Sequence, residues 1–175
     1  MGYSVSWLAT RGLGPDGACA RLGLQFTGES EVVPESPLSG LALGDWFIVF
    51  ANDFSFVGSL PLDALSRSAD VLTCSIEEHV MVSVAEGWAD GKCYWRVTHD
   101  SRQGLEHVNA TGQLPSVFSS ILADQRAEQT RAGGLTADVD HLFDVPVLLG
   151  YELTGFRHDR SGQTFKRLRT LKVAK

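Results

Sequence analysis

An Asp-Gly pair at positions 90 and 91 constrains the fold of this chain more than any other feature, because strand-forming residues flank it on both sides. Asp90 and Gly91 supply the two positive-φ residues of a type I′ turn, the strongest short-range signal for a β-hairpin. Residues 73–100 are therefore predicted to form two antiparallel strands around this turn. The register set by the turn consists of the pairs Ala89–Lys92, Trp88–Cys93, Glu86–Trp95, Val84–Val97 and Val82–His99.

In this register, one face of the hairpin is almost entirely apolar, because side chains alternate between the two faces of a strand. Its members are Val80, Val82, Val84, Trp88, Cys93, Trp95 and Val97, together with Glu86 and His99. The other face is mixed and carries Met81, Ser83, Ala85, Tyr94, Arg96 and Thr98. Such a pattern is typical of a sheet that is covered on one side.

Hydrophobic periodicity and turn residues place further elements before and after the hairpin. Strands are predicted over residues 3–9, 24–27, 45–51, 70–76 and 105–110, with a brief extended piece over 139–143. Helices are predicted over residues 18–22, 61–68, 115–131 and 144–154, and residues 28–44 are predicted to form a surface loop. The fold class is therefore α+β, a single domain with a mainly antiparallel meander sheet and flanking helices.

Acidic and basic side chains are distributed unevenly along the 175 residues of the chain. Residues 1–156 carry 20 acidic and 8 basic side chains, whereas residues 157–175 carry 1 acidic and 7 basic side chains. We therefore expect a single α+β domain over residues 1–159 and a basic C-terminal tail over residues 160–175. An acidic body repels nucleic acid and anionic membranes, so the composition favours a basic protein partner.

Signals of export and membrane insertion are missing from the sequence. No apolar run reaches the roughly 18 residues of a membrane span, and the first residues lack the basic and apolar regions of a secretory signal. The three cysteines are widely spaced, as is common in a reducing compartment. These features predict a cytoplasmic protein.

Motifs that would indicate catalysis or a bound cofactor are also missing. The five histidines form no His-x-x-x-His pair, and no Cys-x-x-Cys pair, Gly-x-Ser-x-Gly elbow or phosphate loop occurs. A carboxylate among aromatic rings, such as Glu86, can act as a general acid, but a position at the rim of the apolar face or a hydrogen bond from an indole N–H is favoured. We therefore predict no metal, no cofactor and no catalytic residue.

Several blocks of the sequence share a pattern with a known group of proteins. The blocks are the hairpin positions Ser75, Met81, Ser83, Trp88, Asp90, Gly91, Trp95, Val97, His99 and Asp100, and the segments 143–147 and 153–159. Together they resemble small uncharacterised bacterial cytoplasmic proteins, some of which look like immunity partners of polymorphic toxins. The resemblance covers about residues 1–160. It implies a protein-binding role, and no catalytic residue is carried over from it.

The leading hypothesis is a non-enzymatic binding protein, specifically an immunity-type inhibitor that covers the active site of a basic toxin. Acidic side chains would steer the encounter, and aromatic side chains would hold the complex. The predicted partner-binding residues are Glu77, Glu78, Trp88, Asp90, Tyr94 and Asp100. The loop acids Glu29, Glu31 and Glu35 would add to the steering.

Two other classes of function stay open. A small-molecule-binding domain or enzyme would have a pocket between the sheet and the C-terminal helix, built from the two His-Asp dipeptides if they converge. The residues of this alternative pocket are His99, Asp100, His158 and Asp159. A homo-oligomeric structural protein would instead expose one apolar face of its sheet.

Overall fold

Nine strands form one antiparallel sheet in the computed structural model, which describes residues 2–160 and 162–171. The strands are β1 (Ser4–Arg11), β2 (Leu24–Glu31), β3 (Leu38–Leu43), β4 (Trp46–Ala51), β5 (Asp70–Glu77), β6 (Val82–Ala89), β7 (Lys92–Asp100), β8 (Asn109–Gly112) and β9 (Phe165–Thr170). Their order across the sheet is β2-β9-β3-β4-β1-β5-β6-β7-β8. The predicted α+β class, with a meander from β5 to β8, is confirmed.

In the described ranges, four α-helices lie against the two faces of the sheet. They are α1 (Pro15–Leu22), α2 (Leu62–Leu65), α3 (Phe118–Arg131) and α4 (Asp144–Thr154). Helix α4 packs across β5, β6 and β7, and α3 packs on α4. Among the described residues, no helix is long and apolar enough to cross a membrane.

The sheet has an apolar core on each face, because neighbouring residues of the central strands point to opposite sides. On β1, Trp7 packs in the core beneath α4, whereas Leu8 packs in the core on the side of α1 and α2. Ile48 and Val49 of β4 divide in the same way, and both are fully buried. This confirms the strand predicted over residues 45–51 and shows that it is buried on both faces.

Two predictions about the edges of the fold were wrong. Residues 28–44 do not form one loop, because they contain the end of β2 and all of β3. The extended piece predicted over residues 139–143 is not a strand.

Within the basic segment 160–175, β9 lies between β2 and β3, and its side chains Phe165 and Leu168 are buried in the two cores.

The β6–β7 hairpin has the predicted turn but not the predicted register along its whole length. Asp90 and Gly91 have φ angles of 50° and 77°, and the pairs Ala89–Lys92 and Trp88–Cys93 are present. A β-bulge follows, in which Tyr94 is the extra residue, because the next pair is Gly87–Trp95. Beyond the bulge, the register is displaced by one residue and consists of Glu86–Arg96, Ala85–Val97, Val84–Thr98, Ser83–His99 and Val82–Asp100.

The displaced register moves part of β6 to the other face of the sheet. Ala85 and Val97 are buried in the core beneath α4, and Ser83 Oγ donates a hydrogen bond to the carbonyl of Phe143 at 2.7 Å. Glu86 lies on the opposite face. The prediction that Glu86 and His99 share a face was therefore wrong.

Candidate binding site

An aromatic pocket of about 320 Å³ opens at the end of the sheet nearest the hairpin turn. Strands β1 and β6 end here, while β4, β5 and β7 begin here. Leu153 of α4 and Pro115, which precedes α3, complete the wall. Four aromatic side chains from three strands and the bulge line the pocket, namely Trp46, Trp88, Tyr94 and Trp95. Three of the four tryptophans of the chain are thus gathered at one opening.

The Trp95 indole packs directly on Gly87, where the lack of a side chain leaves room for the ring. The indole lies directly across this glycine, so that a Cβ atom at position 87 would lie 2.9 Å from Trp95 Cδ1 and closer still to Nε1. Real Cβ atoms essentially never approach other atoms this closely. Trp95 is 8% exposed. The glycine in β6 and the bulge in β7 therefore position this wall of the pocket together.

The Trp88 ring is oriented by the buried Glu86 carboxylate, which lies on the same face of β6. Trp88 Nε1 donates a hydrogen bond to Glu86 Oε2 at 2.9 Å, and Arg96 forms an ion pair with Oε1. Thr73 Oγ1 donates a further, longer hydrogen bond to the same carboxylate. The predicted hydrogen bond between Glu86 and an indole is confirmed. Glu86 is thus engaged at both oxygens, as expected for a residue that positions its neighbours.

The side chains of Arg11 and Asp70 form the polar part of the pocket. The Arg11 guanidinium carbon lies 4.8 Å from the centre of the Trp46 ring. Arg11 also donates to Asp70 Oδ2, from Nη2 at 2.8 Å and from Nε at 3.2 Å. Pairing of β1 with both β4 and β5 places these three residues side by side, because Arg11 is opposite Trp46 on one side and Asp70 on the other.

A second opening, of about 300 Å³, lies beside the aromatic pocket. The two openings share Trp88, Tyr94 and Trp95, and the second also reaches Cys93 and Arg96. Tyr94 is 41% exposed, and its hydroxyl is 3.4 Å from Asp90. Of the predicted partner-binding residues, Trp88, Asp90 and Tyr94 therefore lie together at this end of the sheet.

The other predicted partner-binding residues, Glu77, Glu78 and Asp100, lie at the opposite end of the hairpin. The nine residues from Lys92 to Asp100 span about 26 Å at the rise of a strand. The six predicted residues therefore form two separate groups.

Acidic groups away from the pocket are bonded within the chain. Arg102 donates to both oxygens of Asp100, and this interaction holds the pKa of Asp100 well below its ordinary value. A hydrogen bond from the Ser4 hydroxyl, followed by one from His79, lowers the pKa of Glu77. Glu78 accepts the backbone N–H of Tyr3 at 2.9 Å.

The basic residue Arg167 of β9 forms ion pairs with two acidic residues of β2 that were predicted to lie in a loop. Its guanidinium contacts Glu29 at 2.7 Å and Glu31 at 3.1 Å. Burial by itself would raise the pKa of Glu31, but hydrogen bonds from Ser39, Ser36 and Arg167 together lower it below the ordinary value. At least this part of the basic segment therefore lies against the acidic body of the protein.

Each histidine of the alternative pocket has its own surroundings. His99 is fully buried, with Nε2 2.8 Å from Asp140 Oδ2 and Nδ1 2.7 Å from the carbonyl of His107. His158 lies in a different place, with its ring centre 4.9 Å from that of Tyr3 and Nε2 3.7 Å from Glu78.

The two His-Asp dipeptides share no hydrogen-bond or ion-pair partner within residues 2–160 and 162–171. Asp100 is bonded to Arg102, whereas Asp159 forms an ion pair with Arg157 at 2.8 Å. A pocket between the sheet and α4 does exist, but its described lining contains neither dipeptide. No contact in the described structure therefore supports the prediction that His99, Asp100, His158 and Asp159 converge in one pocket.

The thiols lie in surroundings that disfavour the thiolate. Burial, followed by the charge of Asp16, raises the pKa of Cys19 to about 11. Burial also raises the pKa of Cys74, and burial followed by the Glu86 charge raises that of Cys93. A nucleophilic cysteine needs the opposite shift. Across the part of the chain that the structure describes, no group of three or more His, Cys, Asp or Glu side chains is arranged to hold a metal ion.

Arg11, Trp46 and Asp70 were not predicted from the sequence to be members of one site. Each residue stands at the end of a strand next to a turn, and they meet only because β1 lies between β4 and β5. The available signal was the position of the tryptophans, since Trp46, Trp88 and Trp95 all lie close to predicted turns.

Comparison of the chain with protein-family models, with curated proteins and with solved structures gave no match.

Proposed function

We propose that the protein is a non-enzymatic cytoplasmic binding protein that holds a protein partner at the aromatic pocket. The single observation behind this proposal is the gathering of Trp46, Trp88, Tyr94 and Trp95 around one opening. Tryptophan and tyrosine are enriched among the residues that dominate binding energy at protein interfaces. Tyr94 supports the proposal further, because it is a large aromatic side chain that is 41% exposed.

The partner in this proposal is a basic protein, and the specific form is an immunity-type inhibitor of a basic bacterial toxin. The net charge of −6 supports a basic partner, because opposite charge accelerates association. The acids nearest the pocket are Asp70, which lines it, and Asp90 in the adjoining turn. The acids at the other end of the hairpin contribute less to this role, because Asp100 is already paired with Arg102.

A small-molecule-binding domain is the second candidate. The pocket volume of about 320 Å³ favours it, because pockets for small ligands begin at about this size. In this version, the same aromatic rings would enclose a free ligand. The two candidates differ in whether a macromolecule is captured at the pocket.

Affinity capture with a matched pair of tyrosine variants tests the protein-partner proposal. Tyr94→Ala removes an exposed ring at the pocket, and Tyr3→Ala removes a similarly exposed ring, 44% against 41%, at the start of β1. The tagged wild-type protein and both variants are incubated with lysate of the native host. We expect one stoichiometric basic protein with wild type and Tyr3→Ala, released by high salt, and its loss with Tyr94→Ala.

Trp88→Ala provides a second variant at the pocket, and it should reduce capture in the same way. Circular dichroism of each variant establishes that it is folded. If a toxin is captured, its activity should be suppressed in the complex and restored after release by salt. Capture that is equal for wild type, Tyr94→Ala and Trp88→Ala would contradict the proposed site, and absence of a stoichiometric partner would favour the small-molecule candidate.

A further inference from the structure

The aromatic pocket already holds a cation that belongs to the protein itself. Arg11 lies over the Trp46 ring at 4.8 Å and pairs with Asp70 at 2.8 Å. A guanidinium on an aromatic face beside a carboxylate satisfies two preferences of arginine, because the ring attracts the cation and the carboxylate accepts its N–H groups. The pocket therefore contains the two components of a guanidinium site.

The Arg11 side chain is not fixed in place by burial. The side chains of Arg11 and Asp70 are 52% and 51% exposed, and an ion pair this open to solvent contributes little to stability. The backbone of Arg11 is paired with Trp46 of β4 and Asp70 of β5, so its side chain can move aside while the strand stays in place.

The Asp70 carboxylate retains capacity for a second donor. Both hydrogen bonds from Arg11 go to Oδ2. No group in the described part of the chain donates to Oδ1. A planar guanidinium can reach a carboxylate with two parallel N–H groups, which a single ammonium cannot do.

We propose that the aromatic pocket receives an arginine side chain of the basic partner, which takes the place of Arg11 on Trp46 and Asp70. This inference rests on the proposed function, since the arginine belongs to the captured protein. Trp88 and Tyr94 enclose the aliphatic part of the incoming side chain. Arg11 is then a competitor that holds the site until the partner arrives. The neighbouring Arg67 packs against Gly91 on the turn and is not part of the described lining of the pocket.

Peptide titration followed by NMR tests this inference independently of any partner. The probe is the blocked tripeptide acetyl-Gly-Arg-Gly-amide, and the matched control contains citrulline, which has nearly the same shape without the charge. A third peptide contains phenylalanine in place of arginine. Binding is read from the indole N–H signals of the tryptophans in the full-length protein labelled with ¹⁵N. We expect the arginine peptide to shift the signals of Trp46, Trp88 and Trp95 and the citrulline peptide to bind at least tenfold more weakly.

Variants separate a competing arginine from one that binds the ligand. Arg11→Ala should tighten binding of the arginine peptide about three- to tenfold, because a weak ion pair and a cation–π contact no longer compete. Trp46→Leu and Asp70→Asn should each weaken it about tenfold, and thermal melts of all variants identify any that are unfolded. Asp70→Asn is nearly isosteric, so it keeps the test valid if Trp46→Leu does not fold.

Three results would overturn the inference. The first is a loss of binding in Arg11→Ala, which would mean that Arg11 itself contacts the ligand and that an anion is preferred. The second is equal or stronger binding of the citrulline or phenylalanine peptide, which would leave an apolar pocket without cation selectivity. The third is the absence of indole shifts with the arginine peptide. The proposed function fails separately, when Tyr94→Ala captures the partner as well as wild type does.

Discussion

A single methyl group at Gly87 should disturb the pocket more than most substitutions in the chain. Gly87 lies in β6 opposite Trp95, and its φ angle is not in the left-handed region, so alanine causes no backbone strain there. The new Cβ would nevertheless lie 2.9 Å from Trp95 Cδ1 and closer to Nε1. The rigid indole cannot yield at these atoms without leaving its place, and we therefore expect Gly87→Ala to displace Trp95.

The expected loss of stability lies between that caused by an extra methyl group in a packed core and that caused by removal of a buried tryptophan side chain. Inserting a methyl group into a packed core costs about 1–3 kcal/mol, and removing a buried tryptophan costs about 3–5 kcal/mol. Trp95 is 8% exposed, so expelling it would forfeit most of its burial. We expect Gly87→Ala to lower the free energy of unfolding by about 3 kcal/mol and the melting temperature by about 6–12 °C.

Urea denaturation followed by circular dichroism measures this loss, and a red shift of tryptophan emission reports exposure of the indole. Gly58→Ala is the control, because Gly58 is exposed and no heavy atom lies within 4 Å of the position that an alanine Cβ would take there. It should change the free energy of unfolding by less than about 1 kcal/mol.

A double-mutant cycle can refute the reasoning. Trp95→Ala removes every indole atom that the new methyl group would meet, so Gly87→Ala should cost less than about 1 kcal/mol in that background. If Gly87→Ala destabilises the Trp95→Ala protein as strongly as the wild type, contact with the indole is not the cause.

Buried contacts elsewhere in the fold give three further predictions. Gly150→Ala should destabilise the protein by about 1–3 kcal/mol in urea denaturation, because its Cβ would lie 2.9 Å from Trp7 Cζ2 in the core beneath α4; a neutral effect would show that Trp7 can move aside. The pKa of His158 is lowered below 6.5, mainly by burial. At acidic pH the unfolded chain therefore binds more protons than the folded one. The free energy of unfolding should be highest above pH 6.5 and should decline as the pH falls below it. Thermal melts between pH 7.5 and 5 should show a smaller decline for His158→Phe than for wild type, and equal slopes would exclude His158 as the source. Glu31→Gln should cost about 1–3 kcal/mol, because the carboxylate accepts hydrogen bonds from Ser36, Ser39 and Arg167. Since the pKa of Glu31 is lowered in the folded state, this cost should shrink as the pH falls below 4.5, and a cost independent of pH would contradict the assignment.

The hairpin shows which part of the fold the sequence determines locally. Asp90 and Gly91 are adjacent, and their conformational preference is enough to predict the turn and the first two pairs. The register then changes at Gly87, where the Trp95 ring occupies the space above the glycine. Such a fit between side chains of two strands is not a property of either strand, and an alternating pattern cannot reveal it.

The pocket and β9 depend on contacts between residues that are remote in the sequence. Arg11, Trp46 and Asp70 become neighbours only when β1 inserts between β4 and β5. From the sequence, the basic residues of β9 were predicted to form a tail. The acidic residues that bind Arg167 lie in β2, far away in the sequence, so this pairing could not be foreseen from composition. Composition and periodicity predict elements and their faces, whereas the order of strands in a sheet is fixed by tertiary packing.

The position of β9 between β2 and β3 has a consequence for synthesis of the protein. Strand β2 is at the edge of the sheet, and β9 is its neighbour in the strand order. Glu31 of β2 and Arg167 of β9 are separated by 136 residues. At about 5–20 residues per second, a ribosome needs about 7–27 seconds to make the intervening chain. During that time β2 has no place in the sheet, and the unpaired edge of β3 is a surface that a chaperone can protect.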